Sequence, residues 1–339
     1  MKAAILPDFG QPLALEDVPR PVPETDEVLI EVEVCGVCHS DLHIAHGDLP
    51  GFRAATKPRL ILGHEVVGRV VEKGAAVVDL AIGDRVGVAW LHWACGECEP
   101  CREGLENLCR RGVVTGMMVD GGYAEFMRAK ASHTLRVPDG LAPEQAAPLF
   151  CAGVTVYRAL KNAQVRAGQR VAVFGIGGLG HLAVQVARAF GAEVIALDVA
   201  ESKLALAREL GAAATFNVTD PDVLKAVRKL GAVHVAVVTS AAKAAYDLAF
   251  KCLRPGGTLA VVGLPAEPLQ FAALGIVSNE ARIVGAAVGT REDLRAVLAL
   301  AAAGQLQCRV ETQPLAQVNE ALDRMQRGDI QGRIVLRCC

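Results

Sequence analysis

A chain of 339 residues is longer than one hydrophobic core comfortably serves, so two domains are expected. Its 35 Lys plus Arg nearly balance 37 Asp plus Glu, and a formal net charge of −2 offers no basic stripe for nucleic acid. No run approaches the ~18 apolar residues needed to cross a membrane, and MKAAILPDFG lacks a signal-peptide pattern, so a cytoplasmic protein is expected.

In chain order, EVLIEVEVCG from Glu27 and HEVVGRVVEKG from His64 alternate β-branched and polar residues and end on glycine, as half-buried strands do. IGDRVGVAW, around Gly83, reads as a further strand opening after a tight turn. Cys35 to Cys38 spells C-x-x-C, but a redox site of that kind opens a helix in a βαβ setting, and this third of the chain is β-rich. Cys35 therefore reads as a small buried thiol at a strand end.

Of the eleven cysteines, Cys95, Cys98, Cys101 and Cys109 crowd into one short segment. Four soft ligands at this spacing suit a closed tetrahedral zinc site, which cross-links a loop with little core of its own and has no open position for catalysis. An iron–sulfur cluster and a pair of disulfides are the alternatives. A zinc ribbon that binds nucleic acid is disfavoured because CGECEPCREGLENLC is net acidic.

Near residue 150 the pattern changes. From Arg170 the chain runs strand (RVAVFG), glycine-rich turn, helix (HLAVQVARAFGA), strand (EVIALD) and helix (ESKLALARELGA), and HVAVVT, AAYDLAFKCLRPGG and TLAVVG extend the series. Apolar runs alternating with amphipathic helices predict an α/β fold with a doubly wound parallel sheet, the Rossmann type, beside the β-rich domain. REDLRAVLALAAAG then reads as a helix and GRIVLR as a final strand.

Gly175, Gly177, Gly178, Leu179 and Gly180 form the turn of a G-x-G-x-x-G string, and Asp198 ends the next strand. The glycines let backbone approach a pyrophosphate at a helix N-terminus, and the carboxylate accepts both adenosine ribose hydroxyls while repelling a 2′-phosphate. NAD is therefore favoured over NADP. Lys203, one turn into the following helix, is placed near the same ribose, with a solvated surface lysine as the competing reading.

The motifs GVCHSDLH, HGDLP, LGHE, the cysteine loop, DGGYAEF, CAGVT, GIGGLG and GTREDL follow one another through essentially the whole chain. With this set the sequence resembles the zinc-containing alcohol dehydrogenases of the medium-chain dehydrogenase/reductase superfamily, nearest their yeast and bacterial primary-alcohol branch. The resemblance implies a GroES-like catalytic domain over 1–151 and 289–339, and a cofactor domain over 152–288. It implies that Cys38, His64 and Cys151 hold a catalytic zinc with an open fourth position, and that Glu65 approaches this metal from behind. Asp41 would orient the histidine ligand, while Ser40 and His43 would relay the proton. His39 and Arg333 would contact the cofactor pyrophosphate, and Thr155 would pack on the nicotinamide.

The activity implied is NAD-dependent oxidation of alcohols to aldehydes or ketones, and the reverse, with two zinc ions per chain. Polyol and cinnamyl-type relatives are the alternative. The complete cysteine loop argues against the first and Asp198 against the second. Leu49 stands where ethanol-preferring relatives often carry tryptophan, whereas Trp90 keeps the other bulky wall, so a pocket with one aromatic wall and room for larger alcohols is expected. Relatives of this kind are homotetramers or homodimers, and neither membrane nor nucleic acid is an expected partner.

Overall fold

The computed structural model describes residues 1–338 and divides the chain into two compact units. The first comprises Met1–Ala152, Thr290–Ala302 and the segment from Cys308 onward; the second comprises Gly153–Gly289 with Ala303–Gln307. The last short segment was expected in the first unit. It joins the second through Gln185, whose side chain donates to Gln307 O and accepts from Gln307 N, both at 2.9 Å.

In the first unit the expected strands occupy Glu27–Gly36, Glu65–Lys73 and Arg85–Val88. They lie in a seven-stranded sheet whose path runs Thr134–Arg136, Arg85–Val88, Glu65–Lys73, Glu27–Gly36, Arg333–Arg337, Val310–Pro314, with Phe126–Lys130 also paired to Glu27–Gly36. The core beneath is aliphatic, as the scarcity of aromatics requires: Val28, Ile30, Val32, Val66, Val86 and Ile334 are all buried. Leu91–Trp93 pairs with Val113–Val114, and the two strands form the stem from which the four-cysteine loop projects.

The second unit is a six-stranded, wholly parallel sheet, ordered Ala214–Asn217, Glu193–Asp198, Arg170–Phe174, Val233–Val238, Leu253–Val261, Arg282–Gly285. Central strands buried on both faces read as continuous apolar runs, which is why RVAVFG, EVIALD and HVAVVT were legible. One boundary differs from expectation. The helix read into AAYDLAFKCLRPGG ends at Cys252, and Leu253 begins the next strand. Pro255 explains the stop, since proline disfavours helical geometry in the residue before it and cannot donate to the helix itself. Among the described residues no helix is long and apolar enough to cross a membrane.

Candidate metal and dinucleotide sites

Strand register assembles the first cluster. Gly36 stands opposite Glu65 on one side and Val335 on the other. A Cβ at position 36 would lie 2.0 Å from Glu65 Oε2, so only glycine lets that carboxylate lie across the strand. Cys38 follows as the N-cap of helix His39–His46, its N–H donating to Asp41 Oδ2 at 2.9 Å. From a distant part of the sequence, Phe150 fills the space over Gly87 and leads directly into Cys151.

Cys38 Sγ and Cys151 Sγ lie 3.9 Å apart, and with His64 and Glu65 they offer four buried donor atoms within 4.8 Å of one another. A tetrahedral centre with ~2.3 Å metal–sulfur bonds has a sulfur–sulfur edge of about 3.8 Å, so the thiols already stand at ligand spacing. His64 Nε2 and Glu65 Oε2 are buried without hydrogen-bond partners. Such orphans are costly in an apolar interior, and a zinc ion bound by the two thiolates and the imidazole satisfies the first of them. The donor set therefore fits the metal.

Asp41 organises the cluster. Its Oδ1 accepts from His64 Nδ1 and Gly63 N at 3.2 Å, and its Oδ2 accepts from Cys38 N and the Tyr123 hydroxyl at 2.9 Å. With Nδ1–H committed to the carboxylate, His64 turns the lone pair of Nε2 toward the thiols. Tyr123 is fully buried and was not singled out from the sequence. Only its place in DGGYAEF hinted at it.

Glu65 Oε1 accepts from Arg333 Nη2 at 2.5 Å with both side chains buried, yet burial still raises Glu65 to about 8. The guanidinium expected at the pyrophosphate is thus anchored on Glu65, with its Nε unpartnered. On the helix, Ser40 is half-buried and His39 exposed. His43 Nδ1 sits 3.0 Å from each oxygen of Asp48, a partner the sequence did not announce.

Trp90 meets His64 edge-on, with ring centroids 4.9 Å apart at 85°. Phe52 packs on Trp90 at 5.6 Å. It belongs to helix Pro50–Ala55, which Leu49 caps. Phe52, three residues beyond Leu49, thus sets a second aromatic ring beside Trp90.

In the four-cysteine loop the sulfurs of Cys95 and Cys101 are 3.9 Å apart, those of Cys98 and Cys109 3.9 Å, and those of Cys109 and Cys95 3.5 Å. A disulfide needs about 2.05 Å, whereas these separations bracket the tetrahedral edge. Backbone N–H groups of Glu97 and Cys98 donate to Cys95 Sγ at 3.4 Å and hold that thiol down at about 5.

The second unit builds a separate cradle. Gly175 follows strand Arg170–Phe174, and its carbonyl accepts from Thr239 Oγ1 at 2.7 Å. Leu179 caps helix Gly180–Ala189, where a Cβ at 180 would lie 1.8 Å from Gly175 O; one at 177 would meet nothing within 4 Å. The helix N-terminus can thus press close to the strand while Gly177 leaves open space before its amides, a shape that fits a dinucleotide pyrophosphate. Gly178 completes the turn. Asp198 is buried and takes Ile176 N at 2.6 Å on Oδ2 and Ala200 N at 3.0 Å on Oδ1. A carboxylate offers about four acceptor positions, so both oxygens can still accept ribose hydroxyls. Lys203 is partly exposed on the first turn of helix Glu201–Glu209, and Thr155 is buried on helix Ala152–Asn162.

Two family models match the chain: an alcohol dehydrogenase GroES-like domain over 24–139 and a zinc-binding dehydrogenase over 178–303. Similar relatives include a protein named alcohol dehydrogenase from Geobacillus stearothermophilus, 47% identical over 340 residues and covering 99% of each chain. Another, from Rhizobium meliloti, is 45% identical over 337 residues, 99% of this chain and 98% of the relative. The alcohol dehydrogenase structure from the archaeon Aeropyrum pernix aligns with a TM-score of 0.91 at 36% identity, covering 99% of this chain and 100% of that one. An acetophenone reductase from Geotrichum candidum, solved with NAD, aligns with a TM-score of 0.87 at 33% identity over 99% of this chain and 96% of that one.

Proposed function

This chain belongs to the zinc-binding dehydrogenases with an alcohol dehydrogenase GroES-like domain, and from that membership we propose that it oxidises primary alcohols to aldehydes, and the reverse, with NAD. The observation that carries the reading is the orphaned His64 Nε2 beside two thiols 3.9 Å apart, with the other ring nitrogen held by Asp41. When bound there, zinc supplies the Lewis acidity that eases loss of the alcohol proton and stabilises charge as hydride departs.

The chain's own residues do the rest. Cys38, His64 and Cys151 hold the metal, and Glu65 stands next to them on its Arg333 anchor. The Ser40 hydroxyl would accept the alcohol proton, and His43, its imidazole steadied by Asp48, would pass it on to solvent. Thr155 would pack on the nicotinamide, and His39, with a remaining donor of Arg333, would hold the pyrophosphate. Asp198 takes the adenosine ribose, and Lys203 lies nearby. Cys95, Cys98, Cys101 and Cys109 hold a second, purely structural zinc.

Leu49, Phe52 and Trp90 would line the alcohol site, and leucine in place of the tryptophan of ethanol-preferring relatives would leave room for chains longer than ethanol beside the two remaining rings. Following NADH absorbance with ethanol, hexanol and benzyl alcohol tests this. The expected order of kcat/KM puts either larger alcohol above ethanol; a clear preference for ethanol sinks the pocket assignment, and no turnover of any alcohol sinks the activity. The protein is proposed to work in the cytoplasm as a homotetramer or homodimer. Exposed Leu264, Leu274, Val277 and Ile283 support association, since Ile283 lies on the edge strand Arg282–Gly285 of the parallel sheet and the other three on the segment that leads into it. Light scattering of the purified chain gives the number.

A further inference from the structure

His92 lies between the candidate substrate wall at Trp90 and the zinc loop at Cys95, and neither site uses it. Strand alternation turns it away from its neighbours Leu91 and Trp93. It is 6% exposed, and its Nδ1 is buried with no hydrogen-bond partner. Burial, which outweighs the pull of Glu27, pushes the imidazole down to about 4, so at neutral pH it is uncharged and able both to donate and to accept.

The same residue borders a pocket of about 550 Å³ in the first unit, within the size range of small-molecule sites. Ile5, Val18, Ile61 and Phe126 give it apolar walls. Its charged side chains are already paired, and the Met1 ammonium donates to Val18 O at 2.8 Å. Lys57 holds Asp120 at 2.6 Å, Arg59 holds Glu16 at 2.7 Å, and Arg128 holds Glu24 at 3.1 Å and Glu27 at 3.5 Å. A charged ligand would have to break one of these contacts, whereas a neutral one need only draw the imidazole round until its Nδ1, closed to solvent in the empty pocket, meets the ligand.

We propose that this pocket is a second small-molecule site, distinct from the buried Cys38–His64–Cys151 cluster, and that it takes a neutral compound with an apolar body and one hydroxyl, which pairs with His92. An ionised carboxylate or an amine fits the paired lining poorly, and a pure hydrocarbon leaves the imidazole orphaned.

Isothermal titration of the zinc-loaded enzyme with 4-propylphenol tests the site, since a phenol has no carbinol hydrogen to surrender and is not turned over. Saturable binding to the wild type is expected. It should weaken about tenfold in His92→Phe, the worth of one buried hydrogen bond, and at least as much in Val18→Trp, which fills the pocket without touching a hydrogen bond. His92→Gln, which keeps a donor and an acceptor, should recover part of the loss. Alcohol turnover should stay within about twofold of wild type in Val18→Trp. Absence of saturable binding to the wild type, or equal affinity in wild type and either variant, overturns the assignment. Should His92→Phe fail to fold, Val18→Trp alone decides.

Discussion

The two sulfur clusters of the first unit invite comparison. Cys38 and Cys151 are 113 positions apart, buried, and held with His64 inside a shell of Asp41, Tyr123, Glu65 and Arg333. Cys95, Cys98, Cys101 and Cys109 are close neighbours in sequence, half-buried, and bonded chiefly by their own backbone amides. The spacing of sulfurs is nearly the same in both. What differs is everything around them, and on the proposed reading that difference would separate a metal that reacts from one that only fastens a loop. The closed set leaves no ligand position free. The buried set leaves a nitrogen without a partner and surrounds it with groups that fix its direction.

The sharpest way to break this contrast is to remove one ligand from each cluster. His64→Ala should lower kcat/KM by at least about a thousandfold, since Lewis-acid stabilisation amounts to several kcal/mol, while NADH binding and the melting temperature change little. Cys101→Ser should do the reverse: zinc falls by one per chain and the melting temperature drops by more than about 5 °C, with the residual folded enzyme still active. Calorimetry and steady-state kinetics on both variants read the outcome, and a pair of variants with the same phenotype would erase the distinction.

Smaller effects sharpen it. Asp198→Ala should raise the KM for NAD about 10- to 100-fold and relax discrimination against NADPH, the cost of hydrogen bonds to a charged acceptor. A wild type that already prefers NADPH contradicts the reading of that carboxylate. Tyr123→Phe takes one of four donors from Asp41 without altering volume, and should weaken the catalytic zinc roughly tenfold. Timed release to a chromogenic chelator reads this, with loss from the cysteine loop unchanged as the internal control.

The least effect expected concerns acid. Burial pushes His133 down to about 4, and its Nε2 accepts the Ala94 N–H at 3.1 Å, beside the loop. An imidazole in the unfolded chain titrates near ~6.5, so between that pH and about 4 the unfolded state binds the additional proton. Stability contributed by this site is therefore complete above about 6.5 and declines as the pH falls toward 4. The melting temperature of the wild type should fall more steeply with acidification over this range than that of His133→Gln; parallel slopes would refute the linkage.

What could be read before any coordinates follows the same local-versus-distant divide. The cysteine loop, the glycine turn and Asp198 are each set by short-range spacing, and the parallel strands announce themselves as apolar runs. Cys38, His64 and Cys151 obey no spacing rule, because strand register rather than sequence distance brings them together; only an ordered run of familiar motifs pointed to them. Tyr123, Asp48 and Phe52 were missed for a related reason. Each acts on a residue that had been noticed, and a tyrosine hydroxyl, a surface carboxylate and a helix phenylalanine carry no signal until their partners are placed. The helix expected through Leu253 stops at Cys252 because Pro255, against the run of apolar periodicity, disfavours helical geometry in the residue before it.

Zinc content of the purified wild-type chain tests the division of labour most directly. Two zinc ions per chain, one lost in Cys101→Ser and the other in His64→Ala, is the predicted result. A single zinc in the wild type, or iron in the cysteine loop, would contradict it.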